Sequence, residues 1–211
     1  MNFLDFSVTY AETPGRIYGV VIGIVTNNQD PENLGRVKVK FPWLSDSDES
    51  YWARLASPMA GKSRGVYFLP EVEDEVLVVF EQGDMRFPYI LGALWNGKDP
   101  PPVNNSDGKN HLRVIHSRSG HILRFNDEPD KETIEIIDKS GKNSITIDTA
   151  KNTLTITAEK DIVLRAPNGT IELEAKTLKV KAKEAAEIEA KEITLKAQSN
   201  MTLKGQTINL N

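Results

Sequence analysis

The chain of 211 residues contains no cysteine, which excludes disulfide bonds and thiolate metal ligands. It also has no apolar run long enough to span a membrane, and residues 1–10 lack the basic and apolar regions of a signal peptide. We therefore expect a soluble protein that does not follow a Sec-type export route. The net charge of −4 gives the chain no general attraction to nucleic acid or to anionic lipid.

Aromatic residues are missing from the second half of the chain. All 15 Phe, Trp and Tyr residues lie at or before Phe125, and nine of the 11 prolines precede Asn126. From Thr133 onward, Ile, Leu and Val alternate with Thr, Lys and Glu, a pattern typical of strands with one apolar face. This change in composition predicts two different β structures in one chain.

A repeat of seven or eight residues occupies the end of the chain. Apolar residues two positions apart recur in steps of 9, 7, 8, 7, 8 and 7 residues. These pairs are Ile162/Leu164, Ile171/Leu173, Leu178/Val180, Ala186/Ile188, Ile193/Leu195, Met201/Leu203 and Ile208/Leu210. Looser pairs precede them at Ile134/Ile136, Ile145/Ile147 and Leu154/Ile156. Because each unit offers only two core side chains, one copy buries too little apolar area to offset the entropy of ordering it.

Three copies of the repeat could bury these side chains together. Wound around a common axis, they would form a triangular core and share backbone hydrogen bonds between chains. We therefore predict a homotrimer with an intertwined triple-stranded β-helix over residues 111–211, whose trimer core is the set of apolar pairs. Ile208, Leu210 and Asn211 would form its blunt tip. Residues 182–192 also fit a helical stripe, but Ala186/Ile188 keep the repeat and favour a strand.

The first half predicts a small β-barrel. Short apolar runs separated by turn residues lie between Arg16 and Gly97, with little helical periodicity. Five or six short strands in about eighty residues favour an OB fold. The predicted division of this all-β chain is an N-terminal extension (1–18), an OB-fold domain (19–97), a polar linker (98–110) and the trimeric β-helix needle (111–211).

Four stretches carry a resemblance to a known family: VTNNQDPENLGRVKVKFPWL, YWARLASPMAGKSRGVYFLPEVEDEVLVVFEQGD, RFPYILGALWNGKDPPP and HSRSGHILRFND. They resemble the baseplate assembly protein V and the VgrG-type spike proteins of contractile injection systems. The resemblance covers nearly the whole chain from about Gly19. It departs from the family pattern at Glu73, where we expect glycine, and in lacking the large hub domain that precedes the OB fold in VgrG.

The resemblance implies a structural central spike of a contractile tail or injection-system baseplate. Its OB domains would dock on a separate hub protein, and its needle would pierce the target envelope with only transient membrane contact. The spike would assemble in the cytoplasm as part of a baseplate or virion and be delivered outward on contraction. Some spikes of this family close the needle with a metal-bound tip, but this chain has no histidine beyond His121. The implied alternative is a separate PAAR-type tip protein.

An enzymatic role is disfavoured by the sequence. Glu71, Glu73, Asp74 and Glu75 could provide the acid and base of a glycosidase, but acids this dense at a strand entry favour a solvated turn. The three histidines step by five residues, which fits neither a helical pair of metal ligands nor a closely spaced His-X-His pair; they are His111, His116 and His121. We predict no enzyme activity, no cofactor and no metal site.

The sequence is also compatible with two other functions. A single-stranded nucleic-acid-binding OB fold would use aromatic and basic side chains, here Trp43, Tyr51, Trp52, Tyr67 and Phe68 with Lys38, Lys40, Arg54, Lys62 and Arg64. The barrel core needs several of these aromatics, and acids at Asp46, Asp48 and Glu49 share the region, so we expect no nucleic-acid partner. A trimeric receptor-binding tail fibre would need a varied terminal surface, whereas this chain ends in a bare repeat.

Overall fold

The computed structural model of the chain describes residues 15–45 and 48–209. It confirms an all-β protein, because its described elements are twelve strands and one short 3₁₀ turn at Glu81–Gly83. The described residues divide into two units, one ending at Glu159 and the other beginning at Lys160. Within these described ranges, no helix has the length and apolar character required to cross a membrane.

The first seven strands build the barrel region. They are β1 (Val21–Asn27), β2 (Lys38–Lys40), β3 (Arg54–Leu55), β4 (Ala60–Gly61), β5 (Arg64–Gly65), β6 (Glu75–Phe80) and β7 (Pro88–Ala93). Five of them form a curled sheet in the order β2-β1-β6-β7-β3, in which only the β3–β7 pair is parallel. The remaining two, β4 and β5, form a separate hairpin.

Alternating side chains of these strands fill one apolar core. In β6 every second residue is buried, as expected of a strand with one face inside. The buried apolar residues are Val25, Val37, Val39, Phe41, Ala53, Val76, Val78, Phe80 and Ile90. Gly23 lies where β1 passes close to its neighbours, since an added Cβ would lie 3.2 Å from Val78 Cγ2 and 3.3 Å from Val39 Cβ.

One apolar run of the sequence forms less strand than its pattern indicates. In the run GVYFLPE, the strand ends at Gly65 and residues 66–70 have no strand pairing. The N–H of Val66 donates to the carbonyl of Met59 at 3.0 Å, which closes the β4–β5 hairpin. Leu69 packs against the core, but Tyr67 and Phe68 are 73% and 64% exposed.

The loop between β1 and β2 is organised around Asp30, whose side chain is only 3% exposed. Its carboxylate accepts hydrogen bonds from the backbone N–H groups of Glu32 and Leu34, each at 3.0 Å, and from that of Arg36 at 3.3 Å. The Arg36 guanidinium, bonded to both carboxylate oxygens, holds the pKa of Asp30 well below its ordinary value. Sequence analysis missed this loop, although an Asp-Pro pair followed by Gly and Arg was a signal for it.

The position where the family pattern predicts glycine adopts a backbone conformation that favours glycine. Glu73 has a φ of 76°, in the left-handed region. It is the third residue of a turn closed by the Asp74 N–H donating to the Glu71 carbonyl at 3.1 Å, where type II turns need a positive φ. The turn therefore keeps the conformation expected for glycine, and the glutamate is strained.

A second five-stranded sheet follows the barrel within the same unit. Its strands are β8 (Leu112–His116), β9 (Ile122–Asn126), β10 (Thr133–Ile137), β11 (Ser144–Asp148) and β12 (Thr153–Thr157). Each pairs antiparallel with the next, so the sheet is a simple meander. The change in composition after Phe125 falls inside β9. Residues 112–157 thus pair within one chain, and the intertwined arrangement stays a prediction for the repeat that follows.

The second unit is extended and makes few contacts of its own. Among its described residues, 160–209, no strand or helix is present, and one backbone hydrogen bond joins the Gly169 N–H to the Ala166 carbonyl at 3.2 Å. Residues 182–192 adopt no helix, and their assignment to a strand stays a prediction. Leu210 and Asn211, part of the predicted core and tip, lie outside the described residues.

Candidate assembly surfaces

The second sheet carries one apolar face. Cross-strand register places two rows of side chains side by side across all five strands. One row is Ile115, Leu123, Ile136, Ile145 and Ile156, and the other is Arg113, Phe125, Ile134, Ile147 and Leu154. Nine of these ten residues are apolar, so this side of the sheet has the character of a core. We call it the apolar sheet face.

The other side of the same sheet is polar on β11 and β12 and mixed on β8 to β10, where Val114, Ile122 and Ile137 also face it. There Arg124 Nε donates to Glu135 Oε2 at 2.6 Å, and β11 and β12 present hydroxyl and carboxylate side chains. On the apolar sheet face, eight apolar side chains remain between 39% and 65% exposed in the single chain. A contiguous apolar surface of this kind marks an association site rather than a solvated face.

Sequence analysis found only part of this face. The looser apolar pairs predicted strands β10, β11 and β12, and the structure forms a strand at each of them. Sequence analysis did not predict that Ile115, Leu123 and Phe125 of β8 and β9 also contribute to this face. The alternation in LRVIH and ILRFN was the available signal, but the aromatic residue and the nearby arginines separated these segments from the repeat by composition.

The residues predicted as the trimer core are exposed in the single chain. Among the described members, the five most exposed are Leu164 (67%), Leu173 (70%), Leu195 (68%), Val180 (77%) and Ile188 (78%). The other described members are between 50% and 63% exposed, apart from Ala186, which is also exposed; they are Ile162, Ile171, Leu178, Ile193, Met201, Leu203 and Ile208.

The extended backbone of the second unit is the physical reason for this exposure. Residues 160–209 have no strand pairing, so Leu164, Leu173 and Leu195 lie on segments with no neighbouring strand to pack against. Their role as a trimer core stays a prediction.

The carboxylates at the entry of β6 do not converge. Glu71 Oε1 accepts from Arg118 Nη1 at 2.9 Å, which ties the barrel turn to the β8–β9 turn. Asp74 Oδ2 instead accepts the Glu71 N–H at 2.8 Å, and Glu75 Oε2 accepts from Asn96 Nδ2 at 2.9 Å. Because these three acids have separate structural partners, the cluster supplies no acid and base facing a common substrate.

The histidines do not form a metal site in the part of the chain that the structure describes. His121 Nδ1 accepts the backbone N–H of Lys139 at 3.2 Å, and the His121 carbonyl accepts the N–H of Ser117 at 2.9 Å. Across the described residues, no group of three or more His, Asp or Glu side chains is arranged to hold a metal ion.

The aromatic and basic residues come together only in part. Lys38 and Arg36 lie over the Trp52 ring, with 5.6 and 5.9 Å to its centroid, and Arg54 lies 5.5 Å from the ring centroid of Tyr89. Trp43, by contrast, packs beside Phe41, and Tyr67 and Phe68 belong to the loop after β5.

The two cations over the Trp52 ring, Lys38 and Arg36, are already paired with acids. Lys38 Nζ lies 3.0 Å from Glu49 Oε2, and Arg36 contacts both Asp30 and Glu32. A nucleic-acid groove depends on cations that can neutralise phosphates. These carboxylates therefore oppose the nucleic-acid interpretation.

Comparison with protein families identifies the barrel. Residues 21–95 match the family model for the type VI secretion system and phage-baseplate injector OB domain. This segment contains all seven barrel strands. This segment is therefore similar to the injector OB domain, in agreement with the barrel that the sequence predicts.

Curated relatives confirm the resemblance to spike proteins. The chain is 36% identical over 131 residues to the type VI secretion system spike protein VgrG3 of Vibrio cholerae, covering 56% of this chain and 13% of the relative. It is 30% identical over 139 residues to the spike protein VgrG1b of Pseudomonas aeruginosa, covering 63% and 18%. The actin cross-linking toxin VgrG1 of Vibrio cholerae is 31% identical over 131 residues, covering 58% and 12%. The chain thus spans less than a fifth of the length of each of these VgrG-type proteins.

Proposed function

We propose that the chain is the homotrimeric central spike of a contractile injection system and has a structural role. The observation that carries this proposal is the apolar sheet face, followed along the chain by the exposed apolar repeat. Both belong to a chain with an OB domain of the injector family. In the described residues, one chain leaves the apolar side chains of both segments uncovered.

A second and third copy of the same chain are the partners that fit these surfaces best. In a three-fold arrangement, the three apolar sheet faces would turn toward one axis and cover each other. The repeat would continue the same core with two apolar side chains per strand and chain. Burial is favourable by about 25 cal/mol per Å², so the many partly exposed side chains would together offset the entropy of ordering three chains.

The same arrangement explains a mechanical function. If the strands of 160–209 pair with strands of sister chains, one strand cannot leave without breaking hydrogen bonds to two neighbours. Such a shaft would transmit an axial push without unravelling. In this proposal the needle pierces the target envelope, and the protein needs no catalytic group, cofactor or metal for its work.

Two further partners belong to the proposal. The OB domains would dock on a separate hub protein, and the tip around Ile208, which is 50% exposed, would bind a small PAAR-type cap. Assembly would take place in the cytoplasm within a baseplate or virion, before outward delivery. The similarity to relatives named as type VI spike proteins supports the proposed role as a spike.

Electron microscopy of the purified chain tests the proposed function. We expect three-fold symmetric particles with a wide end made of three OB domains and a narrow shaft. With ten strands per chain counted from Thr133 at about 4.8 Å of rise each, the shaft should be on the order of 50 Å long. Compact particles of one chain without a shaft would overturn the proposal.

A further inference from the structure

The outward positions of the repeat carry charges in a regular order. Successive residues of a strand face opposite sides, so the residue after each member of an apolar pair lies on the outer side. These residues form two columns when the repeats are aligned on their apolar pairs. The charged residues of the first column are Glu172, Lys179 and Glu187. In the second column they form a series from Arg165 through Glu174, Lys181 and Glu189 to Lys196, which ends at Lys204 because that residue repeats the positive charge. Along each of these two series the sign of the charge reverses at every step.

These charges have no partners in the described part of the single chain. All eight side chains belong to residues that are exposed in the structure. Within the described residues 160–209, the one ion pair is between Lys160 Nζ and Asp161 Oδ2, at 3.8 Å. The alternating columns are therefore free to pair with another chain.

The proposed trimer supplies the geometry for such pairing, and this inference rests on that proposed function. A chain wound around a three-fold axis moves to the next face of the prism with each repeat and rises by one strand spacing. On any face, a strand is therefore followed by the next repeat of a sister chain, running in the same direction. Glu172 of one chain would lie beside Lys179 of another, about 4.8 Å away at the backbone.

We propose that the two columns form ion-pair ladders between chains and that these ladders set the register of the needle. The strand beside each charged strand belongs to a second copy of this chain and comes from the preceding or the following repeat. The ladder follows from charge complementarity along the columns, in which each acidic strand has a basic strand on both sides.

The register of the three chains needs a further determinant, because the apolar pattern is nearly the same in every repeat. If one chain slipped by one repeat, its apolar pairs would still face the core. The slip would, however, place Glu172 beside Glu172 of a sister chain and Lys179 beside Lys179. Like charges directly opposite each other on neighbouring strands are destabilising, so the ladders would penalise this particular error.

Charge reversal at one position tests the ladder in the intact protein. Lys179→Glu would put three carboxylates in a row in the first column, and we expect a melting temperature lower by about 5 °C or more at low salt. Lys204→Glu is the matched control, because in the second column Lys204 follows Lys196. That substitution should leave the melting temperature unchanged or raise it.

The complete reversal Glu172→Lys/Lys179→Glu/Glu187→Lys restores alternation and separates the ladder from a general effect of charge. Its neighbours in the first column, Val163 and Thr194, are uncharged, so no new repulsion arises at the ends. We expect this triple variant to recover most of the loss seen with Lys179→Glu. In 1 M salt, where the Debye length is about 3 Å, the differences among the variants should shrink.

Cross-linking tests whether the pairs lie between chains. Because the chain has no cysteine, the double variant Glu172→Cys/Lys179→Cys carries no thiols other than the two introduced ones. Neighbouring strands have the Cα separation that a disulfide requires, so oxidation should give three-chain bands on a non-reducing denaturing gel. The double variant Glu172→Cys/Glu187→Cys, two repeats apart, should stay mostly uncross-linked.

The molecular mass of each variant separates the two proposals. Trimers that show rescue by the triple variant and selective cross-linking support the ladders. Trimers in which Lys179→Glu and Lys204→Glu have equal effects, or in which the triple variant is no better than Lys179→Glu, overturn the ladders and leave the spike. A monomeric wild-type chain overturns the proposed function, and the ladders with it.

Discussion

Arg36 donates two charge-assisted hydrogen bonds to Asp30, from Nε to Oδ2 at 2.9 Å and from Nη2 to Oδ1 at 2.7 Å. The same carboxylate holds three backbone N–H groups of the loop between β1 and β2. Removing its charge leaves these donors poorly paired in a largely buried site. Asp30→Asn should therefore lower the melting temperature of the OB domain by about 5 to 10 °C, measured by calorimetry.

The pair of Asp84 and Arg86 provides a matched control for that prediction. Arg86 Nη2 lies 2.7 Å from Asp84 Oδ2, but the Arg86 side chain is 66% exposed, against 17% for Arg36. Exposed ion pairs contribute little. Asp84→Asn should cost clearly less than Asp30→Asn, and an equal loss would contradict the role given to the buried loop.

Acid should weaken the barrel through the same carboxylate. The pKa of Asp30 is lowered in the folded state by its bond to Arg36, whereas an unfolded aspartate titrates near pH 3.9. The interaction therefore contributes its full stability above about pH 4 and loses it as the pH falls below that value. Melting temperatures of the wild type should drop on acidification below pH 4, and Asp30→Asn should flatten part of this drop. Parallel curves for the two proteins would contradict the assignment.

Glu73→Gly should stabilise the protein. The φ of 76° at Glu73 costs a residue with a side chain about 1 kcal/mol, which glycine avoids, although glycine also gains entropy in the unfolded chain. We expect a net gain of roughly 0.5 kcal/mol or more in chemical denaturation. Glu73→Ala removes the charge but keeps the strain, so it should show no such gain. Equal stability of the Gly and Ala variants would mean that the backbone is not strained there.

The apolar sheet face can be tested with adjacent residues of β11. Ile145 lies on this face between Ile136 and Ile156, whereas Thr146 points to the polar side. Ile145→Asp should lower the thermal stability of the assembly strongly, because three carboxylates would enter one apolar core. Thr146→Asp should lower it clearly less, because its carboxylate stays on the side of Thr155, although it lies opposite Glu135. If both variants melt alike, the apolar sheet face is not covered by other chains.

The repeat allows the same comparison further along the chain. Ile193→Asp and Leu203→Asp would place charges on the proposed axis, and Thr194→Asp and Thr202→Asp would place them in water. We expect large losses of thermal stability for the first two variants and clearly smaller ones for the others, among which Thr194→Asp also places a carboxylate beside Glu187 in the first column. Equal losses within each pair would show that the assigned register of the repeat is wrong.

The sequence predicted the barrel and the later strands of the second sheet well, because their apolar alternation is local. It failed where structure depends on distant contacts. The run through Tyr67 and Phe68 has strand composition, yet the strand ends at Gly65 and residues 66–70 have no strand pairing. The role of Asp30 was also missed. Asp30 stabilises its loop because it is buried and paired with Arg36, and composition reveals neither of these.

The second sheet shows a different limit of sequence analysis. The change in composition after Phe125 falls inside β9, whose residues Ile122 to Asn126 pair with strands on both sides. Strand pairing depends on the alternation of side chains rather than on whether they are aromatic or aliphatic. The repeat beyond Lys160 was predicted from its period alone. Leu164, Leu173 and Leu195 are exposed in the single chain. A period identifies which side chains need to be covered, but it does not identify the chain that covers them.

The mass of the purified full-length chain in solution tests the central claim most directly. Light scattering coupled to size-exclusion chromatography at micromolar concentration should give about three times the 23.5 kDa of one chain. The value should persist on dilution, because intertwined chains separate slowly. A mass of one chain at this concentration would contradict the trimeric spike and every prediction made for its shaft.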